Sequence, residues 1–144
     1  MIITVRRLDI TPTPDHARGA YRYGVEFEST FTSGRALLHS YATPDRLLAG
    51  RAISVETSQD RIADFRVLLD QDRSIGQFAP LATACDYEVT GRVVFLDQEV
   101  FDVEVGPGGC LFTIGFDEIT PITVNKGDWV TFNLMGLTLW DEHL

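Results

Sequence analysis

Lysine is almost absent from this chain. Lys126 stands alone beside 11 arginines, and these 12 basic side chains face 21 acidic ones across 144 residues, a formal net charge of -9. With so few cations, the clustered Lys and Arg that track a phosphate backbone are missing, which argues against a non-specific nucleic-acid binder. Docking on anionic lipid by charge is excluded for the same reason. Cysteine is scarce too. Cys85 and Cys110 are too few for a disulfide framework and too far apart for a zinc knuckle or redox pair, so two buried thiols in a reducing cytosol are expected. A Cys85–Cys110 bridge stays open for an exported protein.

Long apolar runs are lacking: none approaches the ~18 residues of a spanning helix. Met1-Ile2-Ile3-Thr4-Val5-Arg6-Arg7 has too short an apolar stretch, with its arginines on the wrong side, to read as a signal peptide. A cytoplasmic location is therefore expected. The three histidines, His16, His39 and His143, show no pair at metal-ligand spacing, so no metal and no cofactor are expected. Asp70 to Gly76 resembles the opening of a calcium loop, but the count fails. An EF-hand needs Gly at position 6 and Glu at position 12, whereas Gly76 stands at 7 and Leu81 at 12. Gly106-Pro107-Gly108-Gly109 lies between two strand-like segments, without the helix start that makes a phosphate cradle. No nucleophile elbow, P-loop or dinucleotide fingerprint occurs.

What the chain does have is alternation. Ile2–Ile10 and Tyr21–Phe31 read as extended, the second with Tyr21, Tyr23, Val25 and Phe27 on one face and Arg22, Glu26, Glu28 and Thr30 on the other. Between them Thr11 to Gly19, with Pro12 and Pro14, reads as a loop. Thr43-Pro44-Asp45 starts a short helix that Gly50 stops. Ile62, Phe65, Leu68 and Leu69 fall at i, i+3, i+6 and i+7, which predicts a second helix over residues 58–70. Asp72 to Ala84 reads as a connector. From Tyr87 onward five strands follow: Tyr87–Leu96, Val100–Val105, Cys110–Phe116, Trp129–Leu134 and Leu137–Trp140.

The expectation is a mostly β, α+β fold in one domain over residues 1–144. An antiparallel curled sheet or small barrel would combine an N-terminal strand pair with a five-stranded C-terminal meander, and two helices would occupy the middle third. A barrel of the oligonucleotide-binding type would suit stacking of single strands on the rings of the meander. Two basic residues there, Arg92 and Lys126, cannot track a phosphate backbone.

The charge is unevenly placed. Residues 1–85 hold ten Arg and ten acids; residues 86–144 hold Arg92 and Lys126 against eleven acids, so the net charge is 0 in the first part and 2 − 11 = -9 in the second. Asp102 and Glu104 project from one strand face, Asp97 and Glu99 sit in the preceding turn, and Glu88 extends the patch if it shares that face. Trp129 and Trp140 are out of phase with their apolar neighbours, which makes them candidate interface anchors. An acidic β surface of this kind suits a basic protein partner met by electrostatic steering, as in an immunity-type inhibitor that neutralises a basic toxin. The Arg-over-Lys usage fits a GC-rich bacterial genome. A homo-oligomer built through the tryptophans, and a small enzyme or ligand barrel using His39 with a carboxylate, are the alternatives.

Overall fold

A computed structural model describes residues 1–15, 20–69, 76–106 and 110–142, without the side chains of residues 9–15. Two sheets share one hydrophobic cluster. The first is a closed barrel of β1 (Ile2–Asp15), β2 (Ala20–Ser29), β3 (Ser33–Ser40), β4 (Ala52–Ser58) and β11 (Thr138–Asp141), in the order β1-β2-β3-β11-β4 and back to β1. Alternation builds it: Tyr23, Val25 and Phe27 of β2 are buried inside. Tyr21, in the same phase, lies at the end of the strand and is exposed. A bulge between Val5 and Arg7 turns Arg6 and Arg7 outward, where they pair with Glu28 at 2.7 Å and Glu26 at 3.8 Å. The Ser29 hydroxyl accepts from the amides of Phe31 and Thr32 and so sets the β2–β3 turn.

Three expectations need correction here. The segment read as a loop from Thr11 continues β1 as far as Asp15, with Thr13 opposite Arg22 and Pro14 opposite Tyr21. The prolines are tolerated because β1 is paired to β4 only over Ile2–Thr4, which leaves its other edge open beyond that point. Second, β3 closes the barrel although it was not singled out as a strand. Third, the last strand does not join a C-terminal meander. It leaves the second sheet to lie parallel to β3, with Leu139 opposite Leu38 and Trp140 opposite His39.

Between β3 and β4, α1 (Pro44–Leu48) is the short helix expected from Thr43-Pro44. The Thr43 carbonyl accepts from the amides of Arg46 and Leu47, while its side chain makes no capping bond. Leu47 is buried in the common core, and Gly50 follows at φ +74°.

The second sheet inserts between β4 and β11. It contains β5 (Arg61–Val67), β6 (Gln77–Pro80), β7 (Tyr87–Leu96), β8 (Val100–Val105), β9 (Cys110–Gly115) and β10 (Trp129–Met135), in the order β5-β10-β7-β8-β9, with β6 on the first half of β7. Only β7, β8 and β9 form a meander; β10 crosses back to the far side of β7. The helix expected over residues 58–70 does not exist. Its residues through Val67 belong to the end of β4, a tight connection and β5, while Asp70 lies outside the described residues. A bulge sets Asp64 (φ +53°) and Phe65 opposite the single residue Phe132. The extra residue turns Ile62 and Phe65 to the same side, so a strand takes on the three-residue spacing of a helix.

Rings of the second sheet pack on one another: Phe78 against Tyr87 and Phe112, and Phe65 against Phe101 and Phe132. Tyr87 reaches furthest across, its hydroxyl donating to the Arg35 carbonyl at 2.6 Å. Among the described residues no helix is long and apolar enough to cross a membrane.

Candidate docking surface

The five acidic residues singled out from the sequence are not one patch. Glu88 and Glu104 do share the outer face of the second sheet, but Arg92 comes between them, directly opposite Glu104 on β8 and Trp129 on β10. Glu88 lies four residues back along β7, about 13 Å at strand spacing, opposite Asn133 and Ala79. The other four acids belong to one hairpin, β7–β8. Asp97 and Glu99 stand at its tip, and Asp102 and Glu104 follow on β8 with the alternation of a single face.

These four carboxylates differ in what they do. Asp97 Oδ1 accepts from the amides of Glu99 at 2.7 Å and Val100 at 2.8 Å, and these two bonds hold its carboxyl below the ordinary carboxylate range. Asp97 is therefore the residue that ties the tip. Asp102 Oδ1 accepts from the Thr113 hydroxyl at 2.6 Å, across to β9. Glu99 and Glu104 carry no such bond among the described residues.

Beside the acids are two residues whose exposure the sequence did not reveal. Phe95 and Leu96 are large apolar side chains left 48% and 36% exposed on the same hairpin. The alternation of β7 puts Phe95 inside with Val89 and Val93. A bulge between Val93 and Phe95 breaks that phase and sets Phe95 opposite Asp102. No local sequence signal marks this bulge. The result is an exposed aromatic ring opposite the Asp102 carboxylate near the tip of the hairpin.

The two tryptophans lie apart, on different sheets. Trp129 is on the outer face of β10 and is half-buried. Trp140 is on the outside of the barrel, where its ring stacks on His39 with centroids 4.0 Å apart and planes 19° from parallel. Its indole N–H donates to Ser58 Oγ at 2.8 Å. His39, the ordered histidine considered as a base, is 8% exposed beneath that stack. His16, His143, Asp70 to Ile75 and Pro107 to Gly109 lie outside the described residues.

Cys85 and Cys110 form no disulfide, and burial in the core pushes the Cys110 thiol up to about 12. Among the described residues no three of His, Cys, Asp and Glu come together to hold a metal ion. The closed barrel is the kind of scaffold on which oligonucleotide-binding proteins are built. Two of its outer arginines, Arg6 and Arg7, are matched by Glu28 and Glu26. Comparison with protein-family models, curated proteins and solved structures finds no match to this chain.

Proposed function

We propose that this chain is a protein-binding module that docks a basic partner through the β7–β8 hairpin. The observation that carries the reading is the exposure of Phe95 opposite Asp102, on the hairpin that also carries Asp97, Glu99 and Glu104. Apolar anchors inside a charged surround are how interfaces divide labour: the buried ring supplies affinity, the charges supply encounter rate and register. An inhibitor that covers a basic effector is one form such a module takes. The tryptophans serve this role less well, since both are half-buried and Trp140 is committed to His39 and Ser58.

The test separates docking from folding. Asp97 holds the turn and Asp102 is bonded to Thr113, so reversing either disturbs structure. Glu99→Lys with Glu104→Lys, and separately Phe95→Ser, change side chains that carry no hydrogen bond among the described residues. The charge variant slows association with the partner and flattens its salt dependence; Phe95→Ser speeds dissociation. Partner binding unchanged in both variants, with folding intact, excludes the hairpin as the docking element.

A further inference from the structure

Where the two sheets meet, a cleft of about 420 Å³ opens between β4 and β9. Its origin lies in the strand pairing. β1 covers β4 over Ala52–Ser54, and the Met1 amino group and carbonyl extend that pairing to Val55. Among the described residues, this edge of β4 has no strand beside it beyond Val55, and β9 is paired to β8 alone, so its outer edge faces the same gap. Side chains rather than a ladder bridge the two edges: Thr57 Oγ1 donates to the Leu111 carbonyl at 2.9 Å, and Gln59 Nε2 to the Thr113 carbonyl at 3.1 Å. A gap held this way keeps its width, and its volume falls in the range of small-ligand sites.

The lining dictates the chemistry of an occupant. Met1 and Leu111 supply apolar wall, Leu111 being 47% exposed, whereas the Val55 side chain is fully buried in the core. The hydroxyls of the lining are engaged, Thr57 on Leu111 and Thr113 on Asp102, and one proton of the Met1 amino group serves the Val55 carbonyl. The charged side chains of the lining add acceptor capacity. Glu56 and Glu142 both line the cleft, and Glu142 uses one oxygen on the Ser54 hydroxyl. Two carboxylates against one amino group leave the cleft net negative. Asp102 and Glu104 continue the negative field on the adjacent strand, since Glu104 is opposite Leu111 and Asp102 opposite Thr113.

We infer that this cleft binds an aliphatic ammonium: a positively charged amine on a short hydrocarbon chain, its carbons against Leu111 and Met1 and its charge on Glu56 and Glu142. The net negative lining would repel an anion and gives a neutral ligand no charge to meet. The amine has two sources, a free small molecule or a lysine side chain of a protein. The inference does not depend on the hairpin, because Phe95 takes no part in the lining.

The test uses the full chain with its methyl groups observed by NMR. The probes are n-pentylamine, pentane-1,5-diamine, an acetyl-Gly-Lys-Gly-amide peptide and, as neutral control, n-pentanol. Saturable shifts of the Met1 and Leu111 methyls with the free amines point to a small-molecule site; shifts with the peptide alone point to a protein lysine, and both outcomes uphold the inference. Glu56→Gln with Glu142→Gln weakens the amine about tenfold while leaving the remaining spectrum in place. Phe95→Ser leaves amine binding unchanged. Absence of saturation with all three amines, a response to pentanol equal to that of pentylamine, or amine binding unaltered in the double glutamine variant overturns it.

Discussion

The Tyr87 ring lies over Gly34, and its hydroxyl bonds the carbonyl of the next residue, Arg35, across the junction of the two sheets. A Cβ at Gly34 would fall 2.3 Å from the Tyr87 oxygen, so the absence of a side chain at residue 34 is what lets the tyrosine reach the barrel. Burial holds the Tyr87 hydroxyl protonated well above the ordinary tyrosine range, which keeps it a donor. Tyr87→Phe leaves the Arg35 carbonyl without this partner and is expected to cost about 1–2 kcal/mol. Gly34→Ala forces the ring aside at about 1–3 kcal/mol. Because the closest clash is with the hydroxyl oxygen, the double variant is less destabilised than the sum of the two. Urea unfolding of the four proteins measures this; strict additivity would show that the two residues do not share one contact.

Cys110 should be inert while Cys85 reacts. Cys110 is completely buried, whereas Cys85 is partly accessible. A thiol reagent is expected to modify one cysteine of the native protein and two after denaturation, with mass spectrometry assigning the first to Cys85. The pH dependence has a definite sign. The Cys110 thiol is raised in the fold from 9.0 to about 12. Its contribution to stability is therefore intact below pH 9.0 and is lost as pH rises toward about 12. Cys110→Ala should remove that alkaline loss from a stability–pH series.

Asp97 should act on the hairpin tip and not on the core. Asp97→Ala removes the acceptor for the Glu99 and Val100 amides, so those two amides exchange faster with solvent while amides of β10 are unaffected. Since the folded carboxyl titrates below the ordinary 3.8, its hold on the turn is present above pH 3.8 and is lost as pH falls through the lowered value. The Glu99 and Val100 amide resonances then shift together in that acidic window. Shifts of these amides centred above pH 3.8 would contradict the bond.

Much of the secondary structure could be read from alternation, and the failures have two physical causes. β2, β7, β8, β9 and β10 alternate without long interruption and were legible. β5 was not, because the bulge at Asp64 gives Ile62 and Phe65 the spacing of a helix face. The same kind of insertion beyond Val93 hid Phe95, which is now the centre of the candidate surface. The second cause is sequence distance. The parallel pairing of Leu38 with Leu139, the bond from Ser40 to Asp141 and the closure of β4 onto β1 join residues far apart, and no local pattern records them. Charge counting along the chain found Asp97, Glu99, Asp102 and Glu104. It missed Glu56 and Glu142 as a pair, because the fold alone brings them to one cleft.

The most direct measurement places a photoreactive benzoyl-phenylalanine at residue 95 and, as control, at Tyr21, which is similarly exposed on the barrel. Each protein is irradiated in extract of its own cells, and the crosslinked species is identified, purified and its association rate measured against salt. The expected result is one basic protein captured from residue 95 and not from residue 21, associating more slowly as salt rises and more slowly still with Glu99→Lys and Glu104→Lys. Equal capture from both positions, or an association rate indifferent to salt and to the charge reversal, would contradict a role for the hairpin in docking a basic partner.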